Sequence, residues 1–516
     1  MKSPVTRRGF LNHVGRGMVV ASVGTEVVEQ LGLQAAEPEG GAAALDFGGL
    51  EPLVAMMQES TPDALLPRLA ERMKAGPSVR ELVAAGAVAN ARRFGGEDYV
   101  GFHTMMALAP SLAMAGEIAG PGQALPVFKV LYRNTNRIHE SGGRSKEVLK
   151  PVVAAAATDP GALRGAVHDQ DVARAEAQLA ALVARSPEAA FESVVEVVGE
   201  HPEVHRVVMP YRAWGLLDVV GMAQAATMLR QSVRYCVKNE PWVASRAAQS
   251  PRQLLPQLLE EHKLLDRALG THTPEDAWID RFVVQLFSAT PAQAATAAAG
   301  ALNDGVAPDA IGEAISLAAN QLVLRDEGRP PAQEVAGKPI GSVHGDSIGV
   351  HASDSANAWR QMARVGSPRH VFACLILGAW QVAHDRVERG GDFAAWQPLP
   401  LEYHRKAVTA TEAPKLLGAL DEAVRGNLQA RAAAVVAAYG AHGHDARGVF
   451  DVLLKYAVSE DGALHGEKYY RTVAEEFAAT RASLRWRHLI GLARVTASEF
   501  GRPAAGIGLA RDVLGA

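Results

Sequence analysis

The chain is 516 residues long, 48% hydrophobic and 21% charged, the composition of an ordinary globular protein with room for roughly two to four domains. A formal charge of -4 and scattered basic residues leave no electrostatic footprint for nucleic acid. Two cysteines, Cys236 and Cys374, exclude a disulfide framework and a cysteine-built zinc site; a single disulfide between them stays open for an exported chain. Alanine is abundant and aromatics make up only 6%, a bias that favours helix because Ala and Leu lose least on entering one. The expected fold class is all-α.

In chain order, Thr6-Arg7-Arg8-Gly9-Phe10-Leu11 has the form of a twin-arginine export signal, followed by a modestly apolar run and a small-residue stretch at Ala35-Ala36. Residues 1–36 are therefore expected to be a cleaved signal read by the twin-arginine machinery, which places the mature chain in the periplasm or outside the cell. If 1–36 is instead an amphipathic helix, the chain is cytoplasmic. Residues 37–49 read as a linker. No later segment reaches about eighteen uninterrupted apolar residues, so no transmembrane span is expected.

Amphipathic helical segments fill the remainder. Thr61-Pro62 and Thr290-Pro291 each fit an N-cap followed by proline at the first helical position. Further along, Asp98…Gly101…His103 matches Asp346…Gly349…His351. Val127-Phe128…His139 then matches Val371-Phe372…His384, and Ala190-Phe191…His205 more faintly matches Val449-Phe450…His465. Their common order predicts two duplicated helical modules, 50–240 and 287–516, joined by a helical connection over 241–286.

The densest polar stretch runs from Gly341 to Arg360, just ahead of an apolar helical run, and holds His344 and His351. Seven residues apart on an unbroken helix, the two histidines would sit about 10 Å apart along the axis. Joint ligation at about 2 Å per bond then requires Gly345 and Gly349 to break the helix; otherwise Asp346 or Ser347 caps it and a histidine is a core residue. In the first module, His103 precedes Pro110, which should kink or end its helix. His139 and His384 lie near helix C-termini, where capping explains them. His201 and His205 form an i, i+4 pair across a helix start, with Glu203 between them, and with His465 they are the secondary metal-ligand candidates. His442 and His444 read as a polar loop. No dinucleotide, phosphate-loop, serine-hydrolase, zincin or covalent-haem motif is present.

His344-Gly345, five residues, then His351-Ala352 with Arg360 closing the segment resembles a motif of the questin oxidase-like family. The likeness covers about twenty residues and departs from the family pattern at Asp346 and Ser347, where apolar residues are expected, and in the export signal. It implies a helical fold and an oxidative, Baeyer–Villiger type activity. The residues point to an interior histidine site built on His351, His344 and His103, with a metal ion or haem as the candidate cofactor and a small molecule as the ligand; the resemblance implies that the site is of oxidoreductase type. The alternative is a non-catalytic helical scaffold that binds a partner protein or a small apolar ligand between the modules.

Overall fold

The computed structural model describes residues 44–516 apart from 160, 247–249, 336–337, 346 and 389–392. Residues 1–36, the expected signal, and most of the linker lie outside the described residues, as does Asp346. Among the described residues the regular elements are helices, and extended pairing is confined to isolated bridges such as His272 with Val306.

The first half runs through α1 (Glu51–Glu59), α2 (Pro62–Lys74), α3 (Val79–Phe94), α4 (Tyr99–Ala115) and α5 (Leu125–Glu140). It continues as α6 (Ala162–His168), α7 (Val172–Arg185), α8 (Pro187–Gly199), α9 (Val204–Gly215), α10 (Leu217–Val220) and α11 (Ala225–Ala244). A lone helix, α12 (Leu254–Glu261), follows in the expected connection. The second half comprises α13 (Asp276–Ser288), α14 (Pro291–Asn303), α15 (Pro308–Arg325), α16 (Ile348–Met362) and α17 (Pro368–Glu388). After the short α18 (Glu402–Lys406) come α19 (Ala413–Arg425), α20 (Gln429–Ala441), α21 (Ala446–Ser459), α22 (His465–Ala479), α23 (Trp486–Glu499) and a last helix, α24 (Ile507–Leu514).

Local chemistry sets many of these starts. Both Thr-Pro pairs open helices, α2 at Pro62 and α14 at Pro291; Thr290 makes a full capping box with Gln293, whereas Thr61 makes no side-chain cap. Asp98 accepts from Gly101 N at the start of α4, and Ser347 from Val350 N at the start of α16. Pro110 does not end its helix: α4 runs past it to Ala115. Buried packing around Met105, Met106 and Leu108 holds the turn that the proline's missing N–H weakens.

The same packing order recurs in the two halves. Helices α3, α4 and α5 pack on one another, as do α15, α16 and α17; α1 lies on α3 and α5, as α13 lies on α15 and α17. Helix α11 joins α9 to α3, and α23 joins α22 to α15. The helix that trails each half packs on the other half: α12 on α14 and α17, α24 on α2 and α5. The chain from Ala44 to Ala516 is one compact unit, so the modules expected at 50–240 and 287–516 interleave. The second set of mutually packed helices begins at Asp276, inside the expected connection, because α13 buries Ile279, Phe282 and Leu286 against its neighbours.

At the centre, α4 and α16 each pack against both α9 and α22. Glycine permits one of the tight approaches here: a Cβ on Gly349 would meet Val323 N of α15 at 2.5 Å. A buried ion pair closes the seam between α16 and α22, with Arg360 Nη1 2.7 Å from Glu476 Oε2 and side-chain exposures of 3% and 1%. Cys236 on α11 and Cys374 on α17 are buried free thiols, so they form no disulfide with each other. Among the described residues no helix is long and apolar enough to cross a membrane.

Candidate functional site

The four central helices all begin at one place, and each carries a histidine in its first turns. His103 is the fifth residue of α4, His205 the second of α9, His351 the fourth of α16 and His465 the first of α22. Their rings close a cycle: centroids lie 5.0 Å apart for His103–His205, 5.9 Å for His205–His351, 5.2 Å for His351–His465 and 5.2 Å for His465–His103. His351 Nε2 and His465 Nε2 are 3.2 Å apart. His103, His205 and His465 are buried, while His351 keeps partial exposure and so marks the open side of the ring.

The outer nitrogens are held by the backbone or a carboxylate. His103 Nδ1 lies 2.7 Å from the Tyr99 carbonyl, His205 Nδ1 2.7 Å from Glu203 Oε1, and His465 Nδ1 3.3 Å from the Gly462 carbonyl. None of these oxygens can donate, so each ring carries a proton on Nδ1, and in its neutral form presents an Nε2 lone pair. The Nε2 atoms of His103 and His205 are buried without a hydrogen-bond partner. Glu203 has three tasks: it orients His205, caps α9 through the backbone N–H groups of His205 and Arg206, and accepts from Tyr235 Oη at 3.2 Å. Tyr99 and Phe102 pack on the rings of both His103 and His205.

Electrostatics disfavour a charge on His103. Burial pushes the His103 imidazolium well below its ordinary range, and Lys468, His205 and His351 add to the effect. The helix starts do the same, since their N-terminal ends are electropositive. Neutral imidazole is the form that binds a metal ion.

One face of the ring is polar. Lys468 lies three residues beyond His465, Asp354 three beyond His351, and Arg212 seven beyond His205; these spacings return each side chain to the histidine's face of its helix. Asp354 Oδ1 accepts from Thr472 Oγ1 at 2.8 Å, and Arg212 Nη2 lies 3.4 Å from the same hydroxyl. Burial brings the Lys468 ammonium down to about 8, with Asp354 opposing and Arg212 adding to the shift, and burial raises Asp354.

Four of the sequence candidates, His103, His205, His351 and His465, therefore meet. His344 lies in the turn before α16, whose helix does start after it, and its Nε2 is 3.8 Å from Glu499 Oε1. Glu499 also accepts from Gly345 N at 2.8 Å, and burial raises its carboxyl. His201 packs edge-on against Trp242, while His384 stacks on Trp380 and pairs with Glu388 at 2.8 Å. His139 is exposed at the end of α5, and His444 bonds the Thr411 carbonyl at 2.7 Å. Sequence reading did not single out Lys468, Asp354, Arg212 or the orienting role of Glu203. The available signal was a polar residue three places after each second-half histidine.

Among the described residues no group of three or more His, Cys, Asp or Glu side chains is placed so that it could hold a metal ion as it stands. The chain matches no family model, and no curated protein or solved structure matches it.

Proposed function

We propose that the chain is a metal-dependent helical enzyme of oxidoreductase type whose centre is the ring of His103, His205, His351 and His465. The observation that carries this reading is the pair of buried, unpartnered Nε2 atoms on His103 and His205, beside the 3.2 Å separation of the other two Nε2 atoms. Two nitrogens sharing one ion at 2.0–2.1 Å in tetrahedral geometry stand about 3.3 Å apart, so the His351–His465 spacing suits a shared ion. Histidine χ2 is a soft torsion, and the reading requires ring rotations that turn the four lone pairs inward from their present positions. Outer-nitrogen contacts to carbonyls and a carboxylate are the usual second shell of ligating histidines. Neighbouring ring centroids within 6 Å favour a single ion over haem, whose macrocycle has to enter between them.

Four imidazoles suit zinc, copper, iron or nickel. An oxidative role rests on a redox-active member of that set and on the family resemblance of the His344–Arg360 stretch. The parallel packing of the halves supports a duplication in which each copy supplies two ligands, and the Thr6–Leu11 motif supports export to the periplasm by the twin-arginine machinery.

The test is metal analysis of the full chain, purified as expressed and after anaerobic reconstitution with iron, copper, cobalt or zinc. About one tightly held ion per chain is expected, lost in His103→Ala and His205→Ala variants that keep wild-type far-UV circular dichroism. Folded wild-type protein that takes up none of these ions would overturn the reading and leave the histidines as packing residues of a scaffold.

A further inference from the structure

We propose that Lys468 is an amine nucleophile that captures a small aldehyde or ketone as a Schiff base, with Asp354 moving the protons of that step. The proposal goes beyond the metal reading and stands whether or not the ring holds an ion.

Lys468 sits on α22 between His465, about one turn before it, and Thr472, about one turn after it. It is 3% exposed. Among the described residues its ammonium neither donates a hydrogen bond nor forms an ion pair; Asp354, Arg212 and Glu467 act on it through space alone. Keeping an interior cation with unspent donors is costly. Lys129, 4% exposed, shows what a structural lysine looks like in this protein. Its Nζ donates to the carbonyls of Ala457 and Glu460 at 2.8 and 2.7 Å and stands 2.6 Å from Glu467 Oε1. Lys468 has no such cage, and Glu467 is already engaged by Lys129.

Asp354 is the acid that answers Lys468, and it is kept out of contact. Each is the largest charged influence on the other, yet the two form no ion pair. Thr472 accounts for the separation. Its hydroxyl donates to Asp354 Oδ1 at 2.8 Å, and Arg212 Nη2 lies 3.4 Å from the same hydroxyl, which ties the carboxyl to α22 one turn beyond the lysine. An amine and a carboxyl coupled but held apart can act on the two ends of one C=O group. Burial supports the pairing of roles, because it favours the free amine of Lys468 and the protonated acid of Asp354.

The step balances without an oxidant, a reductant or a further reactant. The Nζ lone pair forms a bond to the carbonyl carbon while the C=O π pair moves to oxygen, which takes the proton of Asp354. The nitrogen returns a proton to the Asp354 carboxylate. The carboxyl then protonates the hydroxyl of the carbinolamine, the C–O bond breaks to release water, and the nitrogen lone pair closes the C=N bond. Both hydrogens of that water come from Nζ, carried across by Asp354. Partial exposure of His351, one turn ahead of Asp354 on α16, brings solvent to the level of the site.

The experiment treats the full chain, as purified and after a chelator, with propionaldehyde and cyanoborohydride at pH 7.5, and follows each lysine by peptide mass spectrometry. Lys468 is expected to be alkylated at about a tenth or less of the aldehyde needed at Lys406, a side chain 75% exposed, because burial leaves more of its amine unprotonated. Asp354→Asn is expected to slow labelling of Lys468 about a hundredfold, the usual contribution of a placed proton-transfer group, with Lys406 unchanged and far-UV circular dichroism as in wild type. Should that variant fail to fold, the wild-type comparison of Lys468 with Lys406 decides. Folded wild type in which Lys468 stays unmodified, or reacts no sooner than Lys406, overturns the proposal, as does an undiminished rate in folded Asp354→Asn. Neither result touches metal uptake by the ring, so the two readings fail separately.

Discussion

The Arg360–Glu476 pair gives the sharpest stability test, because it clamps the two helices that present His351 and His465. Both side chains are almost fully buried, at 3% and 1% exposure, and their charged atoms are 2.7 Å apart. Burial alone would raise the Glu476 carboxyl, yet Arg360, His488 and a bond from Asn357 hold it below its ordinary range. Glu476→Gln removes the charge and little volume. A Gln carbonyl can still accept from Arg360, and its amide can turn to Asn357 Oδ1, which is buried and unpartnered. The cost is then the uncompensated guanidinium, about 3–5 kcal/mol for breaking one partner of a buried pair. Urea unfolding followed by far-UV circular dichroism measures it at pH 7.5. The double variant Arg360→Met/Glu476→Leu is expected to lose less than the sum of the single changes, since it buries no lone charge. Single losses under about 1 kcal/mol, or a double loss equal to the sum, would refute the clamp.

Three further outcomes follow from the same geometry. His488 is buried neutral with its imidazolium brought down to about 4, burial being the main cause. The unfolded chain takes up that proton below about 6.5 while the folded chain does not, so stability drains away as pH falls from about 6.5 to about 4, by about 3 kcal/mol in all. His488→Gln should flatten that part of the pH profile, and parallel curves for the two proteins would rule the assignment out. Gly345→Ala places a Cβ 2.3 Å from His465 Cβ and 3.0 Å from Glu499 Oε1; metal affinity measured by competition with a chelator is expected to drop at least about tenfold while Gly508→Ala, in open space, leaves it unchanged. Saturating metal is expected to stabilise wild type against urea by about 2.7 kcal/mol at a hundredfold excess over Kd, and to do nothing for His205→Ala; equal protection of both proteins would place the ion elsewhere.

How much of this was legible in the sequence depends on the range of the interactions. Helix starts were local and therefore readable: Thr290-Pro291 and Ser347 act as caps where their neighbours predict it. His103 and His351 were found because Asp-x-x-Gly-x-His recurs, although only Asp98 of the two aspartates falls among the described residues. The meeting of four histidines was not readable, because it depends on α4 and α16 each touching both α9 and α22 across more than a hundred residues of chain. How the expected modules lie on one another was unreadable for the same reason. Amphipathic periodicity says that a helix has an apolar face, not which half of the chain covers it, and here α12 and α24 each cover the opposite half. His344 was drawn in by proximity in sequence to His351, but the helix start between them sends it to Glu499.

The placement of every ring histidine at a helix start bears on how such a site can work. Helix N-termini resist a cation and favour an anion, so a bare divalent ion is a poor match to this pole and an ion carrying an anionic ligand is a good one. The neutral imidazoles supply the affinity, and the helix starts and Lys468 penalise the ion when its open position is empty or neutral. On this argument the metal and its anion bind with positive coupling: each should tighten the other by the same factor, as linkage requires. Measuring Co(II) affinity with and without saturating azide, beside azide affinity with and without saturating Co(II), checks that equality. Absent coupling would refute the argument, and coupling that survives unchanged in Lys468→Met would assign the preference for anions to the four helix starts alone.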